Sequence, residues 1–170
     1  MKLKLKEEEF NPYYGMYIAK SVHPNIVEGL SISKIEFVNF VNSIPEDKLG
    51  YAYADKKWTI AEVLQHLIDT ERIFAYRALR FARNDKTPLM GFDQDDYVPN
   101  SRANRLSTNE ISNDFEAVRN SSIALFKSFD SEMLLNIGKA SGSSMSVRAV
   151  GYILEGHQKH HFEVIEERYL

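Results

Sequence analysis

The stretch Trp58-Thr59-Ile60-Ala61-Glu62-Val63-Leu64-Gln65-His66-Leu67 reads as the opening of a long helix. Thr59 and Glu62 have the spacing of a capping box, in which a hydroxyl and a carboxylate satisfy orphan backbone donors reciprocally. Trp58 before the cap and Val63 in the first turn supply the accompanying hydrophobic staple. From there Ile60, Val63, Leu67, Phe74 and Phe81 recur at helical spacing to about Arg83, and Asn84-Asp85 and Pro88 close the run. Such a stripe must be buried against other elements.

The same device recurs downstream. Ser107-Thr108-Asn109-Glu110 is a second capping box with Leu106 and Ile111 as its staple, followed by Ile111, Phe115, Val118, Leu125 and Phe129. Upstream, Leu30, Phe37, Val41 and Ile44 mark a helix that Pro45 ends. A Gly/Ser stretch, Ser141 to Ser144, precedes a last helix carrying Val147, Val150, Leu154, Val164 and Ile165. The expectation is an all-α four-helix bundle, with helices near 25–44, 59–83, 107–129 and 146–168 and no substantial sheet. The connection Asn84 to Leu106 exceeds a tight turn. More than twenty residues at about 3.3 Å each reach about 70 Å, whereas a helix of about 25 residues is only about 38 Å long. This long crossover allows the second and third helices to run parallel.

The chain has 170 residues, no cysteine, 44% hydrophobic and 26% charged residues, and a formal charge of -3. These values describe a globular chain that folds without disulfides or an obligatory metal. No cysteine means no cysteine nucleophile, zinc finger or iron–sulfur site. A slightly acidic balance argues against a nucleic-acid partner. With no repeat and no compositional shift, the chain reads as one domain over residues 1–170, with 1–24 as an N-terminal extension. Met1 to Glu9 lacks the apolar run of a signal peptide, and no stretch approaches the roughly 18 apolar residues of a membrane span. The expectation is therefore a soluble, cytoplasmic protein with no membrane partner.

Five histidines carry the chemical signal: His23, His66, His157, His160 and His161. On a helix His157 and His161 lie about 40° apart, one turn above the other. They also continue the seam set by Val147, Val150 and Leu154, where a bundle normally places leucine. Two imidazoles at that spacing can share one metal ion, and burying both without a shared partner is costly. The bland alternative is a pair of satisfied core histidines. His66 is the natural third ligand, although at the edge of its apolar arc it could equally be a boundary histidine paired with Asp69 or Glu62. His160, about 60° from His157 on the helix flank, reads as a surface or supporting group. His23, before Pro24, reads as a loop residue.

Neighbouring metal chemistries are excluded. A di-iron carboxylate bundle needs Glu-x-x-His, but Val63, Leu154, His157 and Gln158 stand three residues before the helical histidines. A zincin needs Glu directly after its first histidine, where this chain has Gln158. What remains is a mononuclear site with neutral nitrogen ligands and open positions.

Trp58 to Leu67 resembles the second-helix motif of the DinB-like superfamily. Ser146-Val147-Arg148-Ala149-Val150-Gly151-Tyr152-Ile153-Leu154-Glu155-Gly156-His157-Gln158-Lys159-His160-His161 resembles its fourth-helix motif, the most specific part of a likeness that covers about residues 25–170. Gly91-Phe92-Asp93-Gln94-Asp95-Asp96-Tyr97-Val98 is similar to a loop of one bacterial branch. The resemblance implies an up-down-down-up bundle and a divalent metal ion, usually nickel or zinc, held by His66, His157 and His161. It also implies a homodimer, dimers being common in the family. Members include S-transferases that use a low-molecular-weight thiol (bacillithiol or mycothiol), a maleylpyruvate isomerase and metal-dependent hydrolases.

Three functions follow as expectations. The first is a metal-dependent thiol S-transferase acting on small-molecule electrophiles, with coordination favouring the thiolate. The second is a metal-dependent hydrolase, for which Asp69 or Glu62 would at best orient His66. The third is a non-enzymatic, stress-related metal-binding bundle. The Asp93, Asp95 and Asp96 cluster either lines a substrate pocket or is a solvated loop.

Overall fold

A computed structural model describes residues 5–170, so residues 1–4 of the N-terminal extension lie outside the described residues. Its helices are α1 (Gly15–Lys20), α2 (Ile26–Ser43), α3 (Ile60–Ala82), α4 (Gln94–Asn100), α5 (Thr108–Lys127), α6 (Ser131–Leu135) and α7 (Val147–Arg168). The long ones, α2, α3, α5 and α7, are the four that the apolar stripes predict. Both capping boxes form: the Thr59 and Ser107 side chains accept from the Glu62 and Glu110 amides, and both glutamates reach back. Trp58 and Leu106 pack on the same apolar cluster as Val63 and Ile111, as staples should.

The crossover sets the topology. Asn104, just before α5, bonds both Thr59 and Glu62 at the start of α3, so those two helix N-termini lie together. Helices α3 and α5 are therefore parallel. At the other end Asn136 reaches the Ala82 carbonyl, so α7 starts where α3 finishes and runs back along it. Glu155 approaches Gly29, and Phe162 stacks on Phe40, so α2 and α7 run the same way. The result is an up-down-down-up four-helix bundle. Four features were not anticipated, two of them the short helices α1 and α6. The crossover itself contains α4, and a small antiparallel hairpin, β1 (Ile137–Ala140) and β2 (Ser143–Ser146), precedes α7. The hairpin turn is Ser141-Gly142, with φ of 51° and 78°, the left-handed pair that a tight two-residue hairpin requires. Leu89 of the crossover adds backbone bonds to Lys139 and Ser141 beside it.

The core is two apolar clusters divided by a polar layer. One cluster holds Leu30, Phe74, Ile123 and Leu154, the other Phe37, Leu67, Phe115 and Ile165. Between them, on each of the four helices, stands a polar residue: Ser33, Glu71, Arg119 and Gln158. Arg119 is 1% exposed, and its Nε donates to Glu71 Oε1 at 2.7 Å while Nη2 donates to Oε2 at 2.8 Å. It also donates to Ser33 Oγ, Gln158 Oε1 and the Leu30 carbonyl, so one guanidinium joins all four helices.

The N-terminal segment is fastened to α7 by two buried carboxylates. Glu9 takes bonds from Arg148 and Ser146, and Glu155 takes them from Ser21 Oγ, the Val22 amide and His23 Nδ1. Burial alone would raise the Glu155 carboxyl, but the bonds from Ser21, His23 and Val22 outweigh it and hold it below its ordinary value. Between these fastenings α1 crosses α7 at Gly156, where a Cβ would stand 1.7 Å from the Tyr17 carbonyl oxygen. Only glycine admits that approach. Among the described residues no helix is long and apolar enough to cross a membrane.

Candidate metal centre

The polar layer has an open side, and the histidines stand on it. His66, in the second turn of α3, is buried, as is His157 on α7; His161, one turn further on, is half-buried. Because α3 and α7 are antiparallel, the early part of one meets the late part of the other. His66 Nε2 lies 3.2 Å from His157 Nε2, and His161 Nε2 lies 3.0 Å from the same atom. Ligand atoms of all three rings fall within 4.8 Å of one another.

That spacing has a chemical meaning. Imidazole nitrogens about 2.0–2.1 Å from a common ion stand roughly 2.8–3.0 Å apart as neighbours in octahedral geometry and roughly 3.3–3.4 Å apart in tetrahedral geometry. Facing ring nitrogens repel unless a proton or a cation lies between them, and a single N–H on His157 cannot serve two neighbours equally. Nor do the rings readily hold protons. Burial pulls His66 down to about 4 from its ordinary 6.5 and, with added repulsion from His66 and His160, pulls His161 down to about 3. His157 is pushed well below its ordinary value by burial and by its three histidine neighbours. Three neutral, converging nitrogen donors can hold a divalent cation.

The supports of the site differ from those the sequence suggested. Neither Asp69 nor Glu62 pairs with His66: Asp69 accepts from Gln65 and Arg72, and Glu62 is taken up by the helix cap and Asn104. The neighbour of His66 Nδ1 is instead the Thr70 hydroxyl, at 3.4 Å. Trp58 stands against the His66 ring with centroids 5.0 Å apart. Tyr17 presents its ring edge-on to both His157 and His160, which makes His160 a flanking group outside the converging triad. His23 is in a loop, as expected, but its ring is engaged by Glu155.

The triad opens on a cleft of about 690 Å³. Its walls are Thr70, Phe74 and Arg77 of α3; Tyr13, Tyr14 and Tyr17 of the N-terminal segment; the crossover from Met90 to Asp95; and, closing the rest, Ser141 of the hairpin turn and Ile153 of α7. Asp93 and Asp95 are at its exposed mouth, Asp93 also capping α4, whereas Asp96 faces away toward Asp69. Sequence reasoning overlooked the tyrosines, Thr70 and Arg77. The α3 residues carry a readable signal, since they follow His66 at four-, eight- and eleven-residue offsets along one face. The tyrosines carry none, because their place depends on how α1 folds back over Gly156.

The comparisons with known proteins agree with this architecture. The model of the DinB superfamily matches residues 34–165, and the chain belongs to that superfamily. No curated protein matches. Among solved structures the chain is similar to YfiT from Bacillus subtilis, described as a probable metal-dependent hydrolase with an unusual four-helix bundle topology. The TM-score is 0.73 at 15% identity, over 98% of this chain and 91% of that one. At that identity the likeness concerns the fold.

Proposed function

We propose that this member of the DinB superfamily is a metal-dependent hydrolase of small molecules, with His66, His157 and His161 holding one divalent ion, nickel or zinc. The observation that carries the reading is the convergence of three neutral imidazole nitrogens, two of the rings buried and one half-buried, at the floor of an open cleft. A bound ion there would supply Lewis acidity toward a substrate carbonyl and a lowered pKa for an attacking nucleophile.

The chain's own residues have separate tasks. Thr70 positions the His66 ring, and the Tyr17 and Trp58 rings limit the tilt of His157 and His66. Burial, reinforced by Tyr13, raises the Tyr17 hydroxyl well above its ordinary value, so this wall of the cleft stays uncharged. The description of YfiT as a probable metal-dependent hydrolase supports the same reaction class.

A second reading, thiol S-transfer to a small electrophile, is favoured by one feature. No aspartate or glutamate of α3 is free to act as a general base beside His66, and a thiolate stabilised by coordination needs none. The discriminating experiment loads untagged, metal-free protein with zinc or nickel. It then measures hydrolysis of ester and amide panels against consumption of a low-molecular-weight thiol with a model electrophile. Ester or amide turnover that disappears in His161→Ala supports the proposal. Thiol consumption alone would replace hydrolysis with S-transfer.

A further inference from the structure

Arg119 and Arg148, both withdrawn from water, are matched by carboxylates, Glu71 and Glu9 respectively. Arg77 is different. It is 2% exposed, yet among the described residues no carboxylate lies within ion-pair distance of it. Its bonds to the Ser141 hydroxyl, at 3.0 Å, and the Met90 carbonyl, at 3.4 Å, both come from Nη2, and the Tyr14 hydroxyl is a third side-chain partner; all three acceptors are neutral. Phe74 and Phe92 lie against the guanidinium, 4.8 and 5.9 Å from its carbon to the ring centroids. Burial draws its pKa down, and Tyr14 only partly offsets this. A buried charge with no opposite charge is costly and is retained where something else supplies the partner.

Arg77 also lines the cleft that contains the histidines. It follows His66 by eleven residues on α3, which places it within about 20° of His66 around the axis and about 16 Å further along it. Helical side chains lean toward the N-terminus, so the guanidinium leans back toward the histidines across an interval on the order of 10 Å.

We propose that Arg77 is an anion subsite of this cleft, seating a carboxylate of the small molecule whose reacting group lies at the histidine cluster. A planar guanidinium pairs with a carboxylate through two parallel bonds, and the apolar rings beside it keep competing water away. Asp93 and Asp95 at the mouth select against ligands of high negative charge, so the substrate class is a small organic acid with one carboxylate at this end. The place of the reacting group rests on the proposed metal centre. The anion subsite does not.

The test uses metal-free protein, so that no bound cation can attract the probe. Amide resonances are followed during titration with hexanoate and, separately, with its uncharged isostere hexanamide at fixed ionic strength. Hexanoate should bind about tenfold or more tightly than hexanamide, shifting Gly91 and Ser141. Arg77→Gln should erase that preference and Arg77→Lys should keep part of it. Equal binding of acid and amide by the wild-type chain overturns the proposal, as does an undiminished preference in a folded Arg77→Gln. The acid–amide comparison needs no variant, so a failure of Arg77→Gln to fold does not remove the test. An acid preference in a chain that binds no zinc would uphold the subsite and overturn the metal centre. Zinc binding without an acid preference would do the reverse.

Discussion

Replacing Glu71 by glutamine should be among the most destabilising isosteric changes available in this chain. Glu71 and Arg119 are 2% and 1% exposed, and the carboxylate takes bonds from both Nε and Nη2 of the guanidinium. In the variant the shape is kept but the buried cation loses its counter-charge, and an amide N–H is turned toward a donor. Ser33, Gln158 and the Leu30 carbonyl still accept from Arg119, so the guanidinium is not orphaned. Breaking one half of a buried pair typically costs about 3–5 kcal/mol. For a chain of this size that corresponds to a fall of roughly 6–20 °C in melting temperature. Urea unfolding, followed by circular dichroism and by the fluorescence of Trp58, the only tryptophan, gives the number directly. The slope should stay at its wild-type value while the midpoint falls. A paired apolar replacement, Glu71→Leu with Arg119→Met, should recover most of the loss, because the cost lies in the unmatched charge and not in the volume. A loss below about 1 kcal/mol in Glu71→Gln, with an unchanged slope, would refute the claim that this pair organises the polar layer.

Other outcomes are equally definite. Gly156→Ala should cost about 1–3 kcal/mol and release α1, read as lost hydrogen-exchange protection over residues 15–20 with the long helices intact; unchanged protection would contradict the close approach. His161→Ala should leave the melting temperature of metal-free protein near wild type, since its ring nitrogen bonds only the neighbouring His157, whereas a clear drop would mark a structural histidine. Metal-free protein should also lose stability on acidification. Folded-state pKa values of about 4 for His66 and about 3 for His161 lie below the ordinary 6.5, so the unfolded chain binds protons that the folded one refuses. Stability is therefore full above pH 6.5 and declines from there toward about 4 on account of His66 and about 3 on account of His161. Replacing the three histidines by glutamine should flatten that decline, and an identical decline in the triple variant would assign it to other groups.

The bundle was legible because its signals are local. Thr59-Glu62 and Ser107-Glu110 fix two helix starts, and stripes at three- and four-residue steps fix the four long helices to within one or two residues. The length of the 84–106 connection left room for the parallel pair without requiring it. The hairpin escaped notice because two four-residue strands offer too few alternations, and Gly138 and Ser143 to Ser146 read as loop composition. The His157–His161 pair was readable from the seam, and His66 from helix position alone was ambiguous. What places His66 beside that pair is the antiparallel packing of α3 on α7, a tertiary fact. Thr70 in place of Asp69 or Glu62 beside His66 belongs to the same class, since choosing among these side chains needs the rotation of α3 relative to α7. The N-terminal segment was the least legible part, because Glu9 and Glu155 find partners more than 130 residues away.

The central claim is that three histidines from two helices form one divalent-metal site, and calorimetric titration of untagged, metal-free protein with zinc and with nickel tests it most directly. One ion should bind per chain, and His66→Ala, His157→Ala and His161→Ala should each weaken binding by about tenfold to a hundredfold or more. Absence of binding by the folded wild-type chain, or wild-type affinity in a folded His157→Ala, would contradict it.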